Sequence, residues 1–131
     1  MKGFVDDIEK LTEENDLFRK VLYTGKNMQL VLMALQPGDE IGEEVHDDID
    51  QFFRFETGTG EVLIDGVTHA VKADSGVIVP AGANHNVINT GSDVLRLYTI
   101  YGPPEHPDGT VHQNKAEADA HHHHFDGKTT E

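Results

Sequence analysis

Glu44 and His46 stand two residues apart in the stretch Pro37 to Gly60, PGDEIGEEVHDDIDQFFRFETGTG. In an extended segment, residues i and i+2 point to the same side of the strand, so this carboxylate and imidazole would form two teeth of a chelate. After the turn pair Asp47-Asp48, an alternating strand opens at Gln51. Its Gln51, Phe53, Phe55 and Thr57 share one face and its Phe52, Arg54 and Glu56 the other. A hairpin would bring Gln51 beside the Glu44/His46 pair. Seven of the twelve residues from Asp39 to Asp50 are acidic and none is basic, so they repel one another unless solvent or a cation relieves them. Spacing alone leaves two readings open: half of a metal site, or a solvated acidic loop.

A second cluster follows at Asp74 to Asn89, DSGVIVPAGANHNVIN. It holds a strand, the tight turn Pro80-Ala81-Gly82, His85 at the start of the next strand, and Asn89 four residues on. Alone, His85 reads as an ordinary strand histidine. In a closed β-structure it would face Glu44, His46 and Gln51.

The elements that must position these residues are short. Val5, Ile8 and Leu11 lie at helical spacing in FVDDIEKLTEE, which predicts a short surface helix over residues 4–14. DLFRKVLYT, a turn at Thr24 to Asn27, and MQLVLMALQ predict a strand hairpin. Gly58-Thr59-Gly60 separates QFFRFET from EVLI, and Asp65-Gly66 joins EVLI to VTHAV as a two-residue hairpin turn. GVIVP, HNVIN and VLRLYTIYG complete about nine strands, with no long helical pattern between them. That arrangement predicts an all-β sandwich or barrel and argues against βαβ units. The organisation expected is a helix and first strand over 1–27, a barrel core over 28–101, and a C-terminal arm with a mobile tail over 102–131, forming one domain.

At 131 residues one domain fits, and the absence of cysteine leaves only nitrogen and oxygen to hold a metal. The net charge of −14 disfavours nucleic acid and anionic membranes as partners. With no apolar run of membrane-spanning length and no signal-like N-terminus, a cytoplasmic protein is the expectation.

The two clusters resemble the paired motifs of the cupin superfamily. Gly38, five residues, Glu44-Val45-His46, four residues, Gln51, six residues and Gly58 reproduce the first motif's spacing, with Glu44 where the family has its first His and Gln51 where it has Glu. In the second, Pro80, Gly82, His85 and Asn89 fall in register, and Asp74 stands where the family has Gly. The resemblance implies an all-β cupin jelly-roll barrel and a metal held by Glu44, His46, Gln51 and His85. Asp50 is the rival to Gln51, although strand parity favours Gln51. The two ligand changes offset in charge, and imidazole with carboxylate or amide oxygen suits Ni, Mn, Fe, Co or Zn.

The group resembled most, small bacterial cupins of the mannose-6-phosphate-isomerase-like type, implies an enzyme acting on a small hydroxycarbonyl compound. There a metal would polarise the carbonyl, and Glu44, Tyr98 or Tyr101 would move the proton. A cupin dioxygenase using Fe(II) and a non-catalytic metal- or ligand-binding module are the alternatives. A small-molecule substrate and a homodimer are the partners expected. Arg54, Lys72 and Arg96 are candidates to meet an anion. His69, His106 and His112 are expected at the surface, and the run His121 to His124 is expected to bind metal only adventitiously.

Overall fold

A computed structural model describes residues 1–131. Helix α1 (Ile8–Glu14) starts at the cap residue Asp7, whose carboxylate accepts from the Lys10 N–H. It is shorter than the periodicity predicts, because the cap sets its start. Phe4 and Val5 lie outside it, and both are exposed.

Ten strands follow: β1 (Arg19–Thr24), β2 (Gln29–Leu35), β3 (Glu44–Val45), β4 (Asp50–Thr57), β5 (Thr59–Ile64), β6 (Val67–Lys72), β7 (Gly76–Val79), β8 (Asn84–Ile88), β9 (Leu95–Gly102) and β10 (Val111–His112). Helix α2 (Lys115–Ala120) closes the series. One antiparallel sheet has the order β10-β1-β2-β9-β4-β7 and the other β3-β8-β5-β6, the jelly-roll arrangement of the resemblance. No helix is long and apolar enough to cross a membrane.

Alternation decides what each strand turns inward. On β9, Leu95, Leu97, Thr99 and Tyr101 are buried, while Arg96, Tyr98 and Ile100 lie on the outer face. On β4, Gln51, Phe53 and Phe55 are buried in the same way. Phe53, Phe55, Leu95, Leu97 and Tyr101 meet Val31 and Met33 of β2 and Val62 and Val87 of the second sheet in one apolar core. Beneath α1, Leu32 and Ala34 on the outer face of β2 are buried as well, so β2 reads as an unbroken apolar run.

Two backbone positions explain motif residues. Gly58 has φ +84, and a Cβ there would lie 2.7 Å from the Val94 carbonyl oxygen, so nothing larger fits where the chain passes from β4 to β5. Asp74, standing in place of the family glycine, has φ +72. Asp tolerates this left-handed region better than most residues, and its carboxylate accepts from Arg54 Nη2 at 2.9 Å. At the predicted hairpin, Asp65 and Gly66 both have positive φ and Ile64 pairs with Val67, the two-residue turn geometry expected.

The C-terminal arm lies on the barrel. β10 pairs with β1, Ala118 of α2 enters the core, and the Phe125 N–H donates to the Glu105 carbonyl at 2.7 Å. The end expected to be mobile is tied down too, the Thr130 N–H reaching the Thr24 carbonyl at 2.9 Å.

Candidate metal centre

The two motifs are joined by a short ladder. β3 pairs with β8 in the register Glu44 to His85 and Val45 to Asn84, and the Gly82 N–H donates to the His46 carbonyl at 2.8 Å. This places one ligand atom each of Glu44, His46 and His85 within 4.8 Å of one another. Glu44 Oε2 lies 3.0 Å from His46 Nε2, yet that nitrogen is buried without a hydrogen bond of good geometry. The His46 and His85 ring centres are 5.4 Å apart. His85 Nδ1 lies 3.2 Å from the Ala83 carbonyl; a carbonyl can only accept, so Nδ1 carries the proton and Nε2 keeps its lone pair free.

Gln51 approaches from the other sheet. Thr99 Oγ1 donates its only proton to the Phe52 carbonyl, so towards Gln51 it must accept, which orients the amide with Nε2 on Thr99 at 3.0 Å. The amide oxygen of Gln51 then points elsewhere and is buried without a partner. A buried acceptor left unpaired costs about 1–3 kcal/mol, and a cation would remove that cost. Glu44, His46 and His85 form a donor set that fits a divalent transition ion, and the orphaned Gln51 Oε1 of the facing sheet is available as a further oxygen donor.

The electrostatics agree. Burial pushes the Glu44 carboxyl up, but His46, Arg19 and His85 together outweigh it and hold the group below its ordinary value. The Glu44 contact raises His46 above its usual value, with burial opposing. In the metal-free chain a proton on His46 thus takes part of the place of a cation. On the far side of the ring, His46 Nδ1 lies 3.5 Å from Glu105 Oε2, the carboxylate partner that metal-binding imidazoles commonly have. A cavity of about 360 Å³, lined by Glu44, His46, Asp47, Glu105, His122 and His124 among others, opens over these groups.

The remaining predicted residues sort by strand parity. Tyr101 is on the site's side, its ring 6.1 Å from that of His46, and burial raises its hydroxyl well above the ordinary value. Tyr98 is on the outer face with its ring 6.3 Å from that of Phe52, so it does not reach the site. Asp50 is exposed and accepts from the Ala81 N–H, which leaves the inward position to Gln51. Arg54 pairs with Asp74, Arg96 pairs with Asp16, and Lys72 is exposed; none of the three lines the cavity. His69 is exposed as expected.

His106 and His112 correct the expectation of surface positions: both are buried, because the arm folds onto the barrel and β10 pairs with β1. Arg19 escaped notice in the sequence. It is 3% exposed, its Nη1 lies 3.0 Å from His112 Nδ1, and its Nε has no partner. Glu105 and Thr99 were missed as well. Alternation from Tyr101 could have found Thr99, whereas nothing in the spacing marks Glu105.

Burial, with Arg19 beside it, pushes His106 down to about 2. It therefore stays neutral when folded but protonates in the unfolded chain near pH 6.5. The unfolded state binds the extra proton, so this contribution is present above about pH 6.5 and is lost as pH falls from there towards the folded value. The urea midpoint of the parent should fall across that window more steeply than that of His106→Gln. Equal slopes would remove His106 from the account.

The Cupin domain family model matches residues 31–101. The chain is 48% identical over 123 residues to the Bacillus subtilis (strain 168) protein YrkC, covering 89% of this chain and 66% of that protein. It is 38% identical to the mimivirus protein L612 of Acanthamoeba polyphaga mimivirus, covering 82% and 70%. The chain thus spans about two thirds of the length of these relatives. The crystal structure of BH2720 from Bacillus halodurans superposes with a TM-score of 0.90 at 44% identity, over 92% of this chain and 96% of that one. With its two sheets, its paired motifs in order and a family match over more than half its length, the chain belongs to the cupin family.

Proposed function

We propose that this cupin is a metal-dependent enzyme of the isomerase type acting on a small hydroxycarbonyl compound, a sugar or a keto acid. The observation that carries the reading is the convergence of Glu44, His46 and His85, whose ligand atoms lie within 4.8 Å of one another, with Glu44 and His46 lining an open cavity and the Gln51 oxygen left buried without a partner. A divalent ion held there supplies Lewis-acid polarisation of a bound carbonyl. Glu44, kept ionised at neutral pH, accepts the proton from the neighbouring carbon. Tyr101, kept protonated by burial, is the hydrogen-bond donor at the inner wall. Phe53 and Val79 close the apolar side against water.

One observation favours a second reading. Glu44, His46 and His85 form a two-His-one-carboxylate set, which suits Fe(II) and oxygen chemistry on an enolic substrate.

Metal-free protein reloaded separately with Ni, Mn, Fe, Co or Zn and incubated in deuterated water with hydroxyketones and keto acids separates the readings. Exchange of the carbon-bound proton without oxygen supports the isomerase. Oxygen uptake confined to the Fe(II) form supports the dioxygenase, and neither activity with any ion supports a binding module. Under the isomerase reading, Glu44→Gln retains an oxygen donor for the metal but slows exchange by about 100-fold or more, the scale of a lost general base. Undiminished exchange would exclude Glu44 from that role.

A further inference from the structure

The run His121 to His124 has no part in the centre described above, yet two of its members reach the same cavity. Beyond α2 the chain is no longer helical, and alternate residues face the barrel: His122 and His124 line the cavity, while His121 and His123 do not. His124 Nδ1 lies 3.0 Å from Glu105 Oε1. Glu105 has a side chain only 7% exposed, and its carbonyl accepts the Phe125 N–H, which holds this strap in place. The His122 and His124 ring centres are 5.0 Å apart at 87°.

These distances have a coordination meaning. An imidazole nitrogen binds a first-row ion at roughly 2 Å, which puts its ring centre roughly 3 Å from the ion. Two imidazoles in neighbouring positions then have centres about 5 Å apart, and a carboxylate oxygen adjacent to an imidazole nitrogen lies about 3 Å from it. The first centre shows similar pair distances, 5.4 Å between His46 and His85 and 3.0 Å between Glu44 and His46, and there all three donor atoms already converge within 4.8 Å. At the strap Glu105 and His124 are in contact, and the exposed His122 ring has to turn inward to complete the set. The cavity wall also carries Glu44, Asp47 and Asp48 beside Glu105, an anionic lining that a further cation would relieve.

We propose that Glu105, His122 and His124 form a second divalent-cation site at the mouth of the cavity, taking late first-row ions such as Zn²⁺, Ni²⁺ or Co²⁺. Two imidazoles and one carboxylate select these ions over Mg²⁺ and Ca²⁺. Occupancy fastens the strap to the barrel across the entrance. Because the other oxygen of Glu105 lies 3.5 Å from His46 Nδ1, the outer ion and the inner ligand share one carboxylate.

The test is equilibrium dialysis of metal-free full-length protein against Zn²⁺ alone. The parent should bind two equivalents, His122→Ala/His124→Ala one, and His121→Ala/His123→Ala still two. Glu105→Gln should weaken the outer ion by more than about 10-fold. His85→Ala should remove the inner equivalent and spare the outer, so failure of the strap site and failure of the inner centre read separately. The proposal is overturned if His121→Ala/His123→Ala loses the second ion as readily as His122→Ala/His124→Ala, the behaviour of a flexible histidine run. Anomalous scattering from a Zn²⁺-soaked crystal of the unmodified chain should give a second peak between Glu105, His122 and His124, and its absence there would equally overturn the site.

Discussion

His85→Ala, placed in a chain that already carries His122→Ala/His124→Ala, is expected to abolish stoichiometric binding of a divalent transition ion. His85 supplies one of three ligand atoms within 4.8 Å of one another, and the Ala83 carbonyl at Nδ1 holds the ring in the tautomer that leaves the Nε2 lone pair free. Of the remaining donors, Glu44 and His46 sit 3.0 Å apart on one short segment, and Gln51 offers only a neutral amide oxygen. Loss of a supporting residue around a metal weakens binding by about 10–100-fold, and loss of a direct donor should exceed that range. Dialysis against Zn²⁺ reads the effect, with the melting profile of the metal-free variant checking that the barrel persists. One equivalent bound with parental affinity would show that Glu44, His46, Gln51 and His85 do not act as one centre.

Phe53→Ala should cost about 3–5 kcal/mol of folding stability, the range for emptying an aromatic position in a packed interior. Phe53 is 1% exposed and stacks on Phe55 with ring centres 6.4 Å apart. It is also the floor of the site, its ring 6.3 Å from that of His85. The cavity left behind would let the imidazole tilt, so ion affinity should fall together with stability. Urea unfolding followed by circular dichroism measures the first effect. A loss under about 1 kcal/mol would mean that the two sheets are not packed through this residue.

The barrel was legible because antiparallel strands with one buried face announce themselves by period two. Gln51, Phe53 and Phe55 give the inward face of β4 directly, and the same parity chose Gln51 over Asp50. Carried one strand further, it would have separated Tyr101 from Tyr98. The motif glycines were legible for a different reason, since close approach and left-handed backbone leave few residue types, and Asp74 shows how an exception is accommodated. What stayed hidden depends on contacts between residues remote in the chain. Arg19 meets His112 across 93 positions and His46 meets Glu105 across the arm. No local periodicity encodes such pairs. His106 and His112 looked like scattered surface residues because their cover, the returning arm, contributes only the two-residue strand β10 and the six-residue helix α2.

The inner donors are divided between the layers: Glu44 and His85 belong to the four-stranded sheet, and Gln51, with Thr99 behind it, to the six-stranded one. An ion held by donors from both would act as a rivet through the two plates. Because the unfolded chain offers no such convergence, its binding energy is added to the native state by mass action, amounting to about 2.7 kcal/mol when free ion stands at 100 times its dissociation constant. With an ion bound there, the supply of metal in the surroundings would bear on how long the barrel survives.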